Sequence, residues 1–197
     1  MKNLYSPSML KSYLSCKYII FNEVNEKKLN LKKIEISKND QLRIEKGNVH
    51  ERDYLKELKK KYKKVIDIKT LELSKEEKIQ KTIEAMKNGC EVIHGGYLKK
   101  DKWRGEFDFL IKNNNLSSKF GNYSYEVIDT KNSKKTKPDH IIQLGMYTYM
   151  LEDTQGVLPK RFTVVLKDMI EENAQINQVN EFFKTHRENY EKYVLNG

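Results

Sequence analysis

The run Tyr-Glu-Val-Ile-Asp-Thr-Lys at residues 125–131 constrains the fold most, because it predicts a buried strand that ends in charged side chains. The apolar pair Val127 and Ile128 favours burial, where an unpaired charge is costly. Side chains on a strand repeat their direction every second residue. We therefore expect Asp129 and Lys131 on one face, about 7 Å apart along the chain.

The chain before this strand is predicted to begin with helices. A serine–proline pair and apolar residues at helical spacing predict a helix over about 7–20. The charged stretch from 22 to 47, in which Ile34 belongs to an alternating apolar pattern, predicts either a short strand or a mobile arm. A second helix is predicted to open at Asn48, with His50 on its inward-facing stripe.

The rest of the chain predicts a sheet with helices beside it. Strands are predicted at 64–71, 123–130 and 161–166, with a hairpin over 92–111 whose second strand covers 103–111. Helices are predicted at 74–88, where Ser74 and Glu77 form a capping box, at 138–152 and at about 179–194. This order indicates a single α/β or α+β domain with a central mixed sheet.

The charge balance favours a polyanionic partner. Lysine plus arginine outnumber aspartate plus glutamate by 38 to 28, which gives a net charge of +10. The electrostatic field of a protein with this net charge attracts nucleic acid, although a proteome rich in lysine would also produce a basic chain. The charge alone does not decide between the two.

Cysteine usage and hydropathy indicate a cytoplasmic protein. Cys16 and Cys90 are far apart and in no paired spacing, which predicts neither a zinc site nor a disulfide framework. No apolar run is long enough to span a bilayer, and the first residues lack the apolar core of a signal peptide. We therefore expect a soluble protein that makes no membrane contact.

Four positions suggest one chemistry: His50, Asp108, Asp129 and Lys131. Two carboxylates and an imidazole can bind a divalent cation, with oxygen ligands favouring Mg²⁺ or Mn²⁺ and the nitrogen favouring Mn²⁺. Such a cation polarises a phosphate and lowers the pKa of a bound water, while a lysine stabilises the developing charge.

Each residue also has a structural interpretation when it is taken alone. An Asp-x-Lys tripeptide is usually a surface ion pair. Asp108 could mark the solvent face of a strand, and a lone histidine such as His50 is more often hydrogen-bonded than a ligand. The other histidines are interpreted as structural: His94, His140 and His186.

Four motifs in order carry a resemblance to a known family. They are Gly47-Asn48-Val49-His50-Glu51, Gly105-Glu106-Phe107-Asp108-Phe109, Asp129-Thr130-Lys131 and Gln143-Leu144-Gly145-Met146-Tyr147. With them the chain resembles the PD-(D/E)XK nuclease superfamily and, within it, the RecB-like branch, from Ser6 to about Tyr193. It is especially similar to the nuclease domain at the N-terminus of longer bacterial proteins that carry a helicase or an exonuclease part.

The resemblance implies an α/β fold with a restriction-endonuclease-like core, in which helices flank a central mixed sheet. One RecB-like nuclease domain would cover 1–197, with a helical N-terminal segment at 1–46 packed on a nuclease core at 47–197.

The resemblance also implies roles for individual residues. The metal ligands would be His50, Asp108, Asp129 and the backbone carbonyl of Thr130, and the catalytic residues Asp108, Asp129 and Lys131. Gln143 and Tyr147 would lie near the DNA strand, with helix packing as the alternative. The lysines expected to contact phosphates are Lys134, Lys135 and Lys137. Iron–sulfur members of the branch use one early and three late cysteines, but nothing follows Cys90, so we expect no cluster.

The expected function is a Mg²⁺- or Mn²⁺-dependent deoxyribonuclease, an exonuclease or endonuclease, that hydrolyses single strands or duplex ends in DNA repair, recombination or defence. The alternative is a catalytically weak DNA-binding module that serves a helicase or nuclease partner, attached in cis or acting in trans. An RNase-H-like site is less favoured, because such sites use clustered carboxylates and no lysine, and scaffolding explains none of the motifs.

Overall fold

The computed structural model describes residues 4–26, 28–32 and 35–196. The helices are α1 (Pro7–Ser15), α2 (Lys17–Asn25), α3 (Lys38–Lys61), α4 (Lys75–Lys87), α5 (Pro138–Gln155) and α6 (Ile176–Asn196). The strands are β1 (Val65–Asp67), β2 (Val92–His94), β3 (Tyr97–Lys100), β4 (Trp103–Glu106), β5 (Phe109–Asn113), β6 (Ser124–Thr130), β7 (Arg161–Val165) and β8 (Glu171–Gln175). No helix in these ranges is both long and apolar enough to cross a bilayer.

The central sheet is mixed, and its strand order is β1-β2-β5-β6-β7-β8. The pairs β1–β2 and β6–β7 are parallel, whereas β2–β5, β5–β6 and β7–β8 are antiparallel. Strands β3 and β4 form a separate hairpin. The α/β class, the mixed sheet flanked by helices and the N-terminal helical segment are thus confirmed.

The topology brings several strand ends to one edge of the sheet. Strands β2 and β6 are both antiparallel to β5, so they run in the same direction, and β1 and β7 run with them. The carboxyl ends of β1, β2, β6 and β7 therefore meet beside the amino end of β5. In open α/β sheets this is the edge at which functional groups collect.

Both faces of the sheet are covered. On one face Leu110 and Val127 pack into a core that also includes residues of α1, α4, α5 and α6. On the other face Phe109 and Ile128 pack under α3, against Tyr54 and other apolar residues of that helix. Every residue of β6 is buried as a result. A strand that is covered on both faces has no solvent side, so the charge of Asp129 requires a specific partner.

Helix α3 is longer than predicted. It starts at Lys38 rather than Asn48, because the Ser37 side chain accepts a hydrogen bond from the Asp40 N–H at 3.1 Å and caps the helix. The predicted strand or arm over 22–47 is therefore wrong where α2 and α3 occupy it, while Ile34 lies outside the described residues.

Other predicted boundaries also shift. The helix predicted over 7–20 is interrupted at Cys16, which has an extended backbone (φ −162°, ψ 117°). The strand predicted over 103–111 is divided into β4 and β5, which belong to different sheets, and Asp108 lies in the bend between them. Strand β1 is shorter than predicted, and β8 was not predicted. The Ser74–Glu77 capping box is confirmed.

The first turn of α5 buries His140, which leads to a pH-dependent stability. Its Nδ1 accepts a hydrogen bond from the Lys137 N–H at 3.2 Å, so the ring is neutral at that nitrogen. Burial lowers the pKa of His140 to about 4, although the nearby charge of Asp139 acts in the opposite direction. Folding thus favours the neutral ring, and the stability it contributes is lost as the pH falls from about 6.5 through 4.

We expect His140→Asn to reduce the acid sensitivity of the fold, because an asparagine oxygen can accept the same hydrogen bond without titrating. Urea unfolding should show that the free energy of unfolding falls by about 2 kcal/mol more in wild type than in the variant between pH 7 and pH 4.5. His186→Asn, on the partly exposed side of α6, serves as the control and should lose as much as wild type. Equal losses for His140→Asn and wild type would contradict the assignment.

Candidate active site

Helix α3 lies beside the edge where the strand ends meet. Two neighbouring side chains of this helix, His50 and Glu51, point in different directions. The His50 ring reaches β7, where its Nε2 lies 3.2 Å from the Val165 carbonyl oxygen. The Glu51 carboxylate reaches the opposite side, toward β1 and β2. Both side chains are buried. Asp108, just before β5, and Asp129, near the end of β6, lie at the two central strands of the same edge.

Asp108 is fixed to the end of β6. The backbone N–H and the hydroxyl of Thr130 both donate to Asp108 Oδ2, each at 2.8 Å. Hydrogen bonds to a carboxylate are stronger than those between neutral groups. Because β5 and β6 are adjacent strands, this pair of bonds holds the Asp108 carboxylate beside the Asp129–Lys131 segment.

Asp129 is the most deeply buried acid of the site, with 1% of its surface exposed. The Lys131 ammonium contacts its Oδ2, so the two residues share a face as predicted. That oxygen is buried and, among the described residues, receives no well-oriented hydrogen bond. Burial, and secondly the charge of Asp108, raises the pKa of Asp129 to about 7. Burial and the charge of Glu51 also raise the pKa of Asp108.

Lys131 is held in its charged form. Burial alone lowers the pKa of this lysine, but the charges of Asp129 and Asp108 outweigh it and hold the pKa above its ordinary value. The side chain is therefore an ammonium at neutral pH. It can stabilise negative charge or donate a hydrogen bond, and it is not suited to remove a proton from water.

The Val165 carbonyl places His50 beside this segment. It accepts the Lys131 N–H at 2.8 Å as well as the contact from His50 Nε2. A carbonyl oxygen only accepts, so Nε2 carries a proton in this conformation. In this conformation the ring nitrogen that could bind a metal ion is therefore Nδ1. Binding through Nε2 would require the ring to turn away from Val165.

The helix predicted to lie near the DNA strand approaches the same carboxylates. Gln143 Nε2 lies 3.5 Å from Asp129 Oδ1. One turn further, Tyr147 is buried and its hydroxyl donates to the Glu106 carbonyl. Tyr147 therefore packs within the protein, and a direct DNA contact from it remains a prediction. The three lysines expected to contact phosphates are exposed: Lys134, Lys135 and Lys137.

The chemistry of these residues partly fits a divalent cation. Asp108 and Asp129 supply neighbouring oxygen donors of the kind that a hard cation prefers, although the Lys131 ammonium contacts Asp129 Oδ2 in this structure. Within the described ranges, however, no three His, Cys, Asp or Glu side chains converge as a metal-binding group. His50 does not join the two carboxylates, and it and the Thr130 carbonyl remain predicted ligands.

The prediction from sequence assigned no role to Glu51 and gave His94 only a structural one. Glu51 is 7% exposed and accepts hydrogen bonds from Lys69 and His94. In the sequence it appears as the last residue of the motif Gly47-Asn48-Val49-His50-Glu51, with no role assigned to it. The partners lie 18 and 43 residues away in the chain, so no local pattern could have identified them.

No protein-family model matches the chain, and no curated protein matches it significantly in sequence. The fold defines an α/β protein with a mixed sheet, and its site consists of the buried Asp129 carboxylate, the half-buried Asp108 carboxylate and the Lys131 ammonium. The finer assignment is a proposal that depends on the residues themselves.

Proposed function

We propose that the protein is a divalent-metal-dependent deoxyribonuclease of the RecB-like PD-(D/E)XK type, with a restriction-endonuclease-like core. One observation carries the proposal: Asp108, Asp129 and Lys131 lie together at this edge of the sheet, and the Lys131 ammonium contacts the buried Asp129 carboxylate. A folded protein gains little stability from such a group. A catalytic role would account for its presence.

In the proposed reaction, the residues of this site hold and stabilise the phosphodiester. A bound Mg²⁺ or Mn²⁺ would supply positive charge at the phosphate and a water of lowered pKa. Asp108 and Asp129 would hold that ion, with Thr130 fixing the Asp108 carboxylate. The Lys131 ammonium is placed to stabilise the charge that develops on the phosphate oxygens. Gln143 is placed to orient a nucleotide or a water beside Asp129.

The proposed substrate is DNA, as single strands or duplex ends. The net charge of +10 attracts any polynucleotide, and exposed lysines contact phosphates without reading the bases. Low sequence specificity is therefore part of the proposal. A role in repair, recombination or defence, in the cytoplasm and beside a helicase or exonuclease partner, belongs to the same proposal.

The direct test is cleavage of single-stranded, linear and circular DNA with Mn²⁺, with Mg²⁺ and with EDTA. We expect cleavage with either metal ion and none with EDTA. Asp108→Asn should lower the rate at least about 100-fold, while its amide oxygen can still accept the Thr130 hydrogen bonds and keep the fold. Glu126→Gln, a buried acid at the other end of β6, is the control. Full activity of Asp108→Asn would refute the assignment.

A second candidate function is the catalytically weak DNA-binding module. The observation in its favour is that the His50 ring is bonded to Val165 and does not join Asp108 and Asp129. In that case the cleavage assay would show little product from the wild-type protein with either metal ion, while a labelled strand would still bind to it in EDTA.

DNA binding should depend on salt through the lysines after β6. For single strands each phosphate contact contributes about −0.7 to the slope of log affinity against log salt. We expect the double variant Lys134→Ala and Lys135→Ala to make the slope shallower by about 1.4. Fluorescence anisotropy of a labelled single strand in EDTA measures this without cleavage. The matched control is Lys63→Ala with Lys64→Ala, an exposed pair at the opposite edge of the sheet. Equal slopes in the two double variants would contradict phosphate contacts at 134–135.

A further inference from the structure

Four side chains form a hydrogen-bonded chain beside the proposed site. The Lys69 ammonium donates to both carboxylate oxygens of Glu51, at 2.6 and 2.7 Å. His94 Nε2 lies 2.8 Å from Glu51 Oε1, and His94 Nδ1 lies 2.8 Å from Asp67 Oδ1. We define these four residues as the Glu51 chain. It links the buried face of α3 to the carboxyl ends of β1 and β2.

The Glu51 chain is attached directly to the strand that carries Asp108. His94 pairs across the sheet with Phe109, the residue after Asp108, and the two rings are stacked with centroids 4.8 Å apart. The next residue, Gly95, donates its N–H to the Asp108 carbonyl at 2.9 Å. His94 and the residue after it therefore contact both Asp108 and the residue that follows it.

We infer that Glu51 is a positioning residue of the proposed nuclease site, which raises the affinity of Asp108 and Asp129 for a divalent cation through its charge. The inference rests on the proposed function. Both Glu51 oxygens are already held by Lys69 or His94, so the carboxylate acts through space and is not itself a ligand.

The charges in this region support the inference. The negative charge of Glu51 acts on both Asp108 and Asp129, and of these three carboxylates Glu51 and Asp129 are buried. Lys131 and Lys69 offset them only in part. The buried Asp129 Oδ2 is in contact with the Lys131 ammonium, so this position already favours a positive charge. In a region of low dielectric such a charge acts over several ångströms.

A purely structural ion pair is the competing explanation, and the chain contains a matched example. Glu126 is also 7% exposed and accepts hydrogen bonds from Arg161 at 2.9 Å and Asn113 at 2.6 Å. It pairs with Ile111 and so lies toward the far end of β6 from Asp129. Glu51→Gln and Glu126→Gln thus make the same chemical change at two equally buried positions.

The test is Mn²⁺ binding to the metal-free protein, measured by isothermal titration calorimetry without DNA. We expect Glu51→Gln to weaken Mn²⁺ affinity about tenfold and Glu126→Gln to change it less than twofold. Asp129→Asn should remove the binding and so locate the site. Unchanged affinity in Glu51→Gln, equal losses in both glutamine variants, or no Mn²⁺ binding by wild type would each overturn the inference.

A second variant is expected to change the Mn²⁺ affinity in the opposite direction. This test does not require that the Glu51→Gln protein folds. Lys69→Met removes a positive charge while Glu51 stays, so we expect Mn²⁺ affinity to rise several-fold. A structural ion pair predicts instead that breaking it weakens binding, and that result would overturn the inference. Mn²⁺ binding without DNA cleavage would refute the proposed nuclease alone. Cleavage by wild type with unchanged Mn²⁺ affinity in Glu51→Gln would refute this inference alone.

Discussion

Replacing Lys131 with methionine is expected to lower DNA cleavage about 1,000-fold and to make the fold more sensitive to alkaline pH. The loss of cleavage follows because the ammonium is the one protein cation in contact with the buried Asp129 carboxylate, among the residues described. Methionine is similar to the lysine side chain in length, so the change removes the charge and little packing.

The pH effect of Lys131→Met follows from the carboxylate that remains. The pKa of Asp129 is raised from 3.8 to about 7 by burial and then by Asp108, although Lys131 opposes the rise. The folded state therefore binds the proton more tightly than the unfolded state, and stability falls as the pH rises from about 4 through 7. Without Lys131 the pKa rises further, and the loss continues above pH 7.

Urea unfolding at two pH values measures this effect. We expect the free energy of unfolding of Lys131→Met to be lower than that of wild type by about 3 kcal/mol at pH 8. At pH 5.5 the difference should be less than about 1 kcal/mol, because Asp129 is largely protonated in both proteins. Lys134→Met, an exposed lysine of the same loop, is the control and should match wild type at both pH values. A variant that cleaves DNA at the wild-type rate would rule out a catalytic role for Lys131.

The parts of the fold that could be predicted are those with one clear hydrophobic pattern. Strand β6 was predicted because Val127 and Ile128 precede Asp129, and α4 because Ser74 and Glu77 cap it with their own side chains. These signals are local, since the residues that produce the structure are neighbours in the chain. The Asp129–Lys131 contact is local for the same reason, because a strand places residues i and i+2 on one face.

The errors occur where a segment lacks a buried face. The first turns of α3, from Lys38 to Val49, are almost entirely exposed, and hydrophobic periodicity reports only helices that bury one side. Strand β8 is an exposed edge strand that pairs through its backbone, so its side chains carry no alternating pattern. Neither element could be recognised from apolar spacing.

The site was only partly predicted, because some of its contacts join residues that are far apart in the sequence. Asp108 and Thr130 are 22 residues apart, and the family motifs named both, although Asp108 was predicted inside a strand and lies in the bend before β5. The direction of the His50 ring depends on the Val165 carbonyl, 115 residues away. No periodicity in α3 decides whether that ring turns toward β6 or β7, and the neighbouring Glu51 is defined by equally distant partners.

Replacing Trp103 with alanine is expected to have the largest effect on stability. This single tryptophan is 1% exposed, and its ring lies 5.2 Å from each of Tyr5 and Tyr190. Its indole N–H donates to Glu191 at 2.6 Å. The side chain thus joins the N-terminal segment, the β3–β4 hairpin and α6. Removing it leaves a cavity among aromatic rings and should cost about 4 kcal/mol.

Trp103→Phe separates packing from the hydrogen bond, because phenylalanine fills much of the space but lacks the N–H. We expect it to cost less, about 2 kcal/mol, and Phe182→Ala, at an exposed position of α6, to cost less than about 0.5 kcal/mol. Urea unfolding followed by circular dichroism measures all three, since tryptophan fluorescence is lost in two of them. Because the contacts of Trp103 with Tyr5, Tyr190 and Glu191 do not involve Asp108 or Asp129, the folded fraction of Trp103→Phe should keep wild-type Mn²⁺ affinity. A large loss of Mn²⁺ affinity in that variant would show that the aromatic cluster and the site are coupled.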